Sequence, residues 1–195
     1  MACAAAVPRI LLRKAACRHK AEELVCMKGS PGNLSAFISV EIQIRTEGKD
    51  VINMRDRMIA RAGEIVQQRM DMGNRGFCTL ALVDEDGYPA MTTVSIAKAD
   101  GIKWLAFCTS LRANSVLRAR RSCKAGVCVN SEGYHISLNG TIEVLADDEI
   151  KREMWHEGLR QFFSGPQDPD YCVLRFETER YNLLIDWHSV RGSFR

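Results

Sequence analysis

Hydroxyl and basic side chains are concentrated in one short stretch, FCTSLRANSVLRARR, which spans residues 107–121. Thr109 and Ser110 follow an apolar run typical of a β-strand, and the arginines after them predict a short basic helix. A strand, hydroxyl groups and then a helix start can bind phosphate, because backbone N–H groups and the helix dipole face the anion. A solvated basic surface would have the same composition, so the pattern alone leaves both interpretations open.

The cysteines and histidines of the sequence indicate no metal or redox site. Eight cysteines occur without a C-x-x-C pair or zinc-finger spacing. Four of them lie in apolar runs, where a thiol behaves as a small buried hydrophobe: Cys78, Cys108, Cys128 and Cys172. We expect reduced thiols in a cytoplasmic protein. Cys123, next to the basic helix, is the one candidate for a reactive thiol, and no catalytic residue is identified.

Composition is that of one globular domain. The chain has 195 residues, of which 46% are hydrophobic, and this suits a single core. A formal charge of +3 is too small to indicate a nucleic-acid partner. No apolar run approaches the roughly 20 residues that span a bilayer. Neither membrane nor nucleic acid is therefore predicted as a partner.

The first 53 residues differ in composition from the rest. MACAAAVPRILLRKAACRHK is rich in alanine and arginine and has no acidic residue, as in a transit peptide. An upstream extension of the reading frame or an accessory segment would also fit. We expect residues 1–53 to form a poorly defined N-terminal extension, disordered or not native, and residues 54–195 to form the functional domain.

From residue 54 onward, the apolar pattern predicts a helix and then about seven strands. Strands are predicted for GFCTLALV, YPAMTTVSIAK, IKWLAFCT, KAGVCVN, YHISLNGTIEVLA, YCVLRFET and YNLLIDW. Short helices are predicted over about residues 112–121 and in DDEIKREMWHE. Short strands joined by tight turns favour an antiparallel sheet closed into a barrel.

Three stretches of this sequence carry a family pattern. They are the TS dipeptide with its basic helix and CKAGVCV, then GTIEVLADDEIKREMW (residues 140–155), and then FFSGPQDPDYCVLRFETERYNLLIDW (residues 162–187). Together they resemble the pyridoxamine 5′-phosphate oxidase-like, FMN-binding split-barrel family, and most closely its general-stress-protein branch. The resemblance covers about two-thirds of the chain, from Arg55 to Trp187.

The resemblance implies a mainly β (α+β) fold, a six- to seven-stranded antiparallel split β-barrel with flanking helices. It also implies a homodimer with the ligand groove at the interface. The flavin ring of FMN would lie on the strand residues Met91, Thr92, Thr93 and Val94. Thr109 and Ser110 would contact its phosphate or ribityl chain. Trp155 and its neighbours from the partner subunit would close the other side.

The sequence departs from the family pattern at the phosphate site. The family usually has T-x-x-x-S-x-K there, and the Ser and Lys positions hold Ala113 and Ser115, with Asn114 between them. Charge-assisted hydrogen bonds contribute roughly 1.5–3 kcal/mol, so these losses would weaken FMN binding. On helical spacing, we expect Arg118 to lie on a different face from Asn114. Arg112 is therefore the better candidate to replace the missing lysine contact with the phosphate.

The C-terminal end, WHSVRGSFR, also differs from the W-R-L-x-P signature of true pyridoxamine phosphate oxidases. We therefore predict an FMN-binding oxidoreductase of unknown substrate, and not a genuine pyridoxamine phosphate oxidase. The alternative is a non-catalytic homodimer that binds another anionic or planar ligand, such as a deazaflavin, haem or a nucleotide.

Overall fold

The structure is a computed structural model, and it describes residues 54–194. The N-terminal extension predicted for residues 1–53 lies outside the described residues. Helix α1 covers residues 54–71 and buries the apolar face that its sequence predicts. Met58, Ala62, Ile65 and Val66 are all less than 8% exposed and join the core of the barrel.

Eight strands and two further α-helices follow α1, so the described chain is mainly β. The strands are β1 (Phe77–Val83), β2 (Pro89–Ser95), β3 (Lys98–Asp100), β4 (Trp104–Ser110), β5 (Lys124–Ser131), β6 (Tyr134–Leu145), β7 (Tyr171–Ile185) and β8 (His188–Ser193). The helices are α2 (Asn114–Arg121) and α3 (Asp148–Met154), with 3₁₀ turns at Gly73–Arg75 and Glu157–Gln161. In residues 54–194 no helix has both the length and the apolar character needed to cross a lipid bilayer.

The strand order shows that the sheet is curled. All strand pairs are antiparallel, in the order β2-β1-β5-β6-β7-β4-β3, and β8 pairs with β7. Strands β2 and β3 lie at opposite ends of this order, yet only Ile96 and Ala97 connect them. The three Cα–Cα steps from Ser95 to Lys98 span at most about 11 Å, whereas seven flat strands at roughly 4.8 Å spacing would be far wider. The sheet must therefore bring its two edges together, which confirms the predicted antiparallel split barrel.

The strand boundaries differ from the sequence prediction at two places. The predicted return strand YPAMTTVSIAK is divided into β2 and β3 at Ile96, and Ala97 N–H donates to Ala106 O at 2.8 Å. The two strands predicted near the C-terminus are one 15-residue strand, β7, and β8 was not predicted. Strand β7 continues through its polar ETER segment, which pairs with β6, and the Thr178 hydroxyl in this segment donates to Ile102 O at 2.6 Å.

Two apolar clusters hold the elements that surround the candidate site. The larger fills the barrel, and α2 inserts the fully buried Val116 and the nearly buried Ala119 into it. The smaller lies under α3 and the Glu157–Gln161 turn, and its buried members are Ala106, Leu159, Tyr171 and Val173. Because Val116 and Ala119 hold α2 against the barrel core, the first turn of α2 has a fixed position relative to β4.

Candidate functional site

A groove of about 880 Å³ lies beside strand β2. Its walls come from β2, from the end of β4, from the first turns of α2 and from the segment after α3. Small-molecule sites in proteins are typically about 300–1,000 Å³. The groove is therefore large enough for a ligand with a fused ring system and a side chain.

The groove brings together most of the contact residues predicted from the sequence. Those that line it are Met91, Thr92, Thr93, Val94, Thr109, Ser110, Asn114 and Ser115. Arg112 and Trp155 do not line it. The Arg112 side chain is 88% exposed, and Trp155 packs edge-to-face on Tyr171 of the same chain at 5.6 Å between ring centroids. A contact of Trp155 with a partner subunit stays a prediction.

Strand β2 presents backbone hydrogen-bonding groups along the groove. Within residues 54–194 it pairs with β1 alone, so its other edge is left open. An edge strand presents a row of unpaired N–H and C=O groups. Thr92 and Val94 turn toward the barrel opposite Leu80 and Cys78, while Met91 points outward and is 72% exposed. The edge of a planar heterocycle could be bound by these backbone groups.

The first turn of α2 is an uncapped helix start on the same groove. Ala113 is the N-cap residue, with φ −65° and ψ 142°, and no side chain caps the helix. The first N–H groups of a helix have no intrahelical partner, and an anion there also gains from the helix dipole. Asn114 and Ser115 line the groove at this turn, and no acidic residue lies in it. The backbone therefore fits an anionic group, although Ala113 contributes no hydroxyl.

Arg118 and not Arg112 reaches the groove, which corrects the helical-spacing argument. Because α2 begins at Asn114, Arg118 lies four residues later, about one turn away and on the same face. Arg118 lines the groove, and no ion pair of its side chain occurs among the described residues. Arg112 precedes the helix, and its Nε lies 3.4 Å from a carboxylate oxygen of Asp170.

Asp170 is a groove residue that the sequence argument missed. The Ser110 hydroxyl donates to Asp170 Oδ2 at 2.7 Å, and Leu111 N–H donates to Asp170 O at 2.7 Å. Asp168 shapes this loop by accepting from the N–H groups of Ser164 and Asp170, which lowers the pKa of Asp168. The DPDY motif contains Asp170, but the sequence pattern does not predict a contact with Ser110, which lies 60 residues away.

The rest of the lining is mostly apolar. Besides the predicted residues and Asp170, it includes Met70, Gly73, Phe77, Ser95, Ile96, Ala97, Cys108, Ala113, Arg118, His156, Leu159, Phe162 and Phe163. Cys108 Sγ lies 3.3 Å from the hydroxyl of Tyr171, and burial raises the pKa of both groups. Both therefore remain protonated near neutral pH. In the described part of the chain, no cluster of His, Cys, Asp or Glu could hold a metal ion.

The thiols of residues 54–194 should differ strongly in their reactivity. Burial raises the pKa of Cys78 to about 12 and that of Cys172 to about 11, whereas Cys123 is exposed. Because the thiolate is the nucleophile, we expect iodoacetamide at pH 8 to label Cys123 at least about tenfold faster than Cys78 or Cys172. Peptide mass spectrometry measures the three rates separately. Equal labelling in the folded protein would contradict the closed barrel, and labelling in urea provides the control.

Raising the pH should also weaken the fold through these thiols. Their folded-state pKa values lie above the unfolded value of about 8.5, so their contribution to stability is complete below that pH. It is lost progressively as the pH rises toward about 11 for Cys172 and about 12 for Cys78.

Comparison with known proteins supports the same fold. A family model described as pyridoxamine 5′-phosphate oxidase matches residues 44–185. The search of curated proteins gives no match. A solved structure from Clostridium acetobutylicum, of a protein related to general stress protein 26 of Bacillus subtilis, is 22% identical with a TM-score of 0.58. It covers 68% of this chain and 96% of its own.

Two further solved structures share the fold at lower identity. General stress protein 26 from Bacillus anthracis is 17% identical with a TM-score of 0.54, covering 67% of this chain and 98% of its own. A pyridoxamine 5′-phosphate oxidase-related, FMN-binding protein from Nostoc punctiforme is 14% identical with a TM-score of 0.53, covering 68% and 93%. The family model spans more than two-thirds of the chain and agrees with the split barrel. The chain therefore belongs to the pyridoxamine 5′-phosphate oxidase family.

Proposed function

We propose that this protein binds FMN in the groove and acts as an oxidoreductase on a small-molecule substrate. The observation that carries the proposal is the meeting of an open strand edge and an uncapped helix start on one groove. A flavin ring needs the first feature and a phosphate needs the second. Membership of the family and the FMN-binding description of the Nostoc protein support the same ligand.

Each part of FMN has candidate contacts in this chain. The ring would lie along Met91, Thr92, Thr93 and Val94. The phosphate would accept hydrogen bonds from the N–H groups of Asn114 and Ser115 and from Arg118, while Thr109 would face the ribityl chain. A bound flavin supplies the electron-transfer chemistry, and the protein's part is to bind, orient and exclude water. Protonated Cys108 also lies at the groove wall, but its thiol already donates to Met154 O at 3.7 Å.

We further propose a homodimer whose interface closes this groove. Large apolar side chains that line the groove are exposed in the single chain, with Met91 at 72%, Phe162 at 69% and Phe77 at 48%. Exposed apolar patches of this kind mark interaction surfaces. The five free thiols of the described chain support a reducing compartment, and we propose the cytoplasm.

The C-terminal sequence, which lacks the W-R-L-x-P signature, argues against pyridoxamine phosphate as the substrate. In place of the oxidase signature, Asp186 and Trp187 form a tight turn with φ of 49° and 67°, and β8 then returns along β7. Trp187 is 94% exposed at the tip of this turn. A residue in that position contributes nothing to the groove of its own chain.

A second ligand class is favoured by the altered phosphate motif. Ala113 lacks the hydroxyl, and Ser115 lacks the ammonium, that the family usually has at these two positions. The alternative is a non-catalytic homodimer that binds a deazaflavin, haem or a nucleotide. A thermal-shift screen separates the two, because a tight ligand raises the melting temperature by mass action. A larger shift with any of these ligands than with FMN would favour the alternative.

Titration of the full chain with FMN, followed by fluorescence quenching, tests the proposal. We expect saturable binding by the wild type and about tenfold tighter binding by Ala113→Ser/Ser115→Lys. The expected gain in affinity is smaller than two new charge-assisted contacts would give, because Arg118 already lines the groove. Since serine at an N-cap also stabilises a helix by about 1 kcal/mol, affinity and not melting temperature must be compared. A chain that quenches no FMN, with or without the two substitutions, contradicts the proposal.

A further inference from the structure

We propose that Asp170 determines how strongly the groove distinguishes FMN from riboflavin, by withholding the Ser110 hydroxyl proton from a ligand phosphate. The inference rests on the proposed flavin-binding function and concerns the selectivity of that same site. Asp170 and Ser110 both line the groove, next to the first turn of α2. They are the carboxylate and the hydroxyl that a phosphate at this turn would meet.

The single proton of the Ser110 hydroxyl is already used in a hydrogen bond. Its hydroxyl donates to Asp170 Oδ2 at 2.7 Å and accepts from Arg112 N–H at 3.0 Å. A serine hydroxyl has one proton, so it cannot donate to a carboxylate and to a phosphate at the same time. If a ligand phosphate accepts the Ser110 proton, the Asp170 carboxylate loses that hydrogen bond. If it does not, the phosphate is bound only by the N–H groups at the start of α2 and by Arg118.

The charge of Asp170 adds to this competition. The Asp170 backbone is fixed on both sides, because its N–H donates to Asp168 Oδ1 and its carbonyl accepts from Leu111 N–H. Among residues 54–194, the one ion pair of Asp170 is with Arg112 Nε at 3.4 Å, and the Arg112 side chain is 88% exposed. Such an exposed pair compensates a charge only weakly. A dianionic phosphate in the groove therefore meets a partly uncompensated negative charge, whereas the neutral hydroxyl end of riboflavin does not.

Asp170 could instead serve only to hold the loop before β7. In that case its substitution would lower stability and change the affinities for both flavins by the same factor. The ratio of the FMN and riboflavin affinities is the quantity that separates the two roles. Asn is the suitable replacement, because it keeps the size and one acceptor oxygen while removing the charge.

The experiment titrates four full-length proteins with FMN and with riboflavin: wild type, Asp170→Asn, Ser110→Ala and the double variant. We expect Asp170→Asn to raise the FMN-to-riboflavin affinity ratio about tenfold, as removal of a like charge a few Å away would do. Ser110→Ala should change FMN binding less than about threefold in the wild-type background. In the Asp170→Asn background it should weaken FMN binding about tenfold, since a neutral amide oxygen competes less well than a carboxylate for the Ser110 proton, which can then donate to the phosphate.

Glu85→Gln is the matched control. Glu85 pairs with Arg121 at 2.7 Å, near the other end of α2, and does not line the groove, so its ratio should equal that of the wild type. An unchanged ratio in Asp170→Asn, or equal shifts for both flavins, overturns the inference while the flavin site stands. If neither flavin binds any variant, the proposed function fails and the inference fails with it.

Discussion

Replacing Arg118 by glutamine is expected to weaken FMN binding by about 10- to 100-fold and to leave riboflavin binding nearly unchanged. The physical reason is the loss of a charge-assisted contact, because Arg118 lines the groove one turn beyond the uncapped start of α2. Riboflavin lacks the phosphate, so it loses nothing when the guanidinium is removed. Fluorescence titration with both flavins measures the two effects in the same protein.

Arg120→Gln is the control for a general loss of positive charge. Arg120 is an exposed residue of α2 that does not line the groove, so its substitution should change the FMN affinity less than about threefold. Arg112→Gln should also have less effect than Arg118→Gln, since the Arg112 side chain points to Asp170 and solvent. A larger effect at Arg112 than at Arg118 would restore the assignment made from the sequence.

Replacing Gly140 by alanine is expected to lower the free energy of unfolding by about 3 kcal/mol or more. A Cβ at this position would lie 1.8 Å from Glu177 O and 2.9 Å from the carbonyl carbon of the same residue. Both atoms belong to the backbone of β7, so no side-chain rotation removes the clash. Gly140 lies where the register of β6 and β7 shifts, and these two strands form the longest pairing of the barrel.

Urea denaturation of the wild type and the Gly140→Ala variant measures this loss. Gly165→Ala is the matched control, because its Cβ would meet only the Gln167 side chain, at 3.8 Å, in a loop. We expect the control to change stability by less than about 0.5 kcal/mol. An equally small change in Gly140→Ala would show that the register shift can absorb a methyl group.

The local sequence determined the class of the fold. Alternating apolar residues and short polar turns are enough to predict antiparallel strands, because both depend on neighbours within a few residues. The barrel and the family resemblance are confirmed. Strand β2, the end of β4 and the start of α2, all predicted from the sequence, line one groove. The ligand roles of those residues and the homodimer remain predictions.

Only the tertiary structure decided the details of the groove. Ser110 and Asp170 are 60 residues apart in the chain, and their contact exists because β4 and β7 pair throughout, with Ser110 opposite Tyr171. Strand β7 runs past its polar segment because the segment pairs with β6, and Thr178 there donates to a carbonyl of Ile102, 76 residues away. A local pattern contains no information about such distant partners, since they are set by the closure of the sheet. The sequence by itself therefore determined the fold class and the type of most elements, whereas the curled sheet decided the extent of β7, the presence of β8 and which side chains share the site.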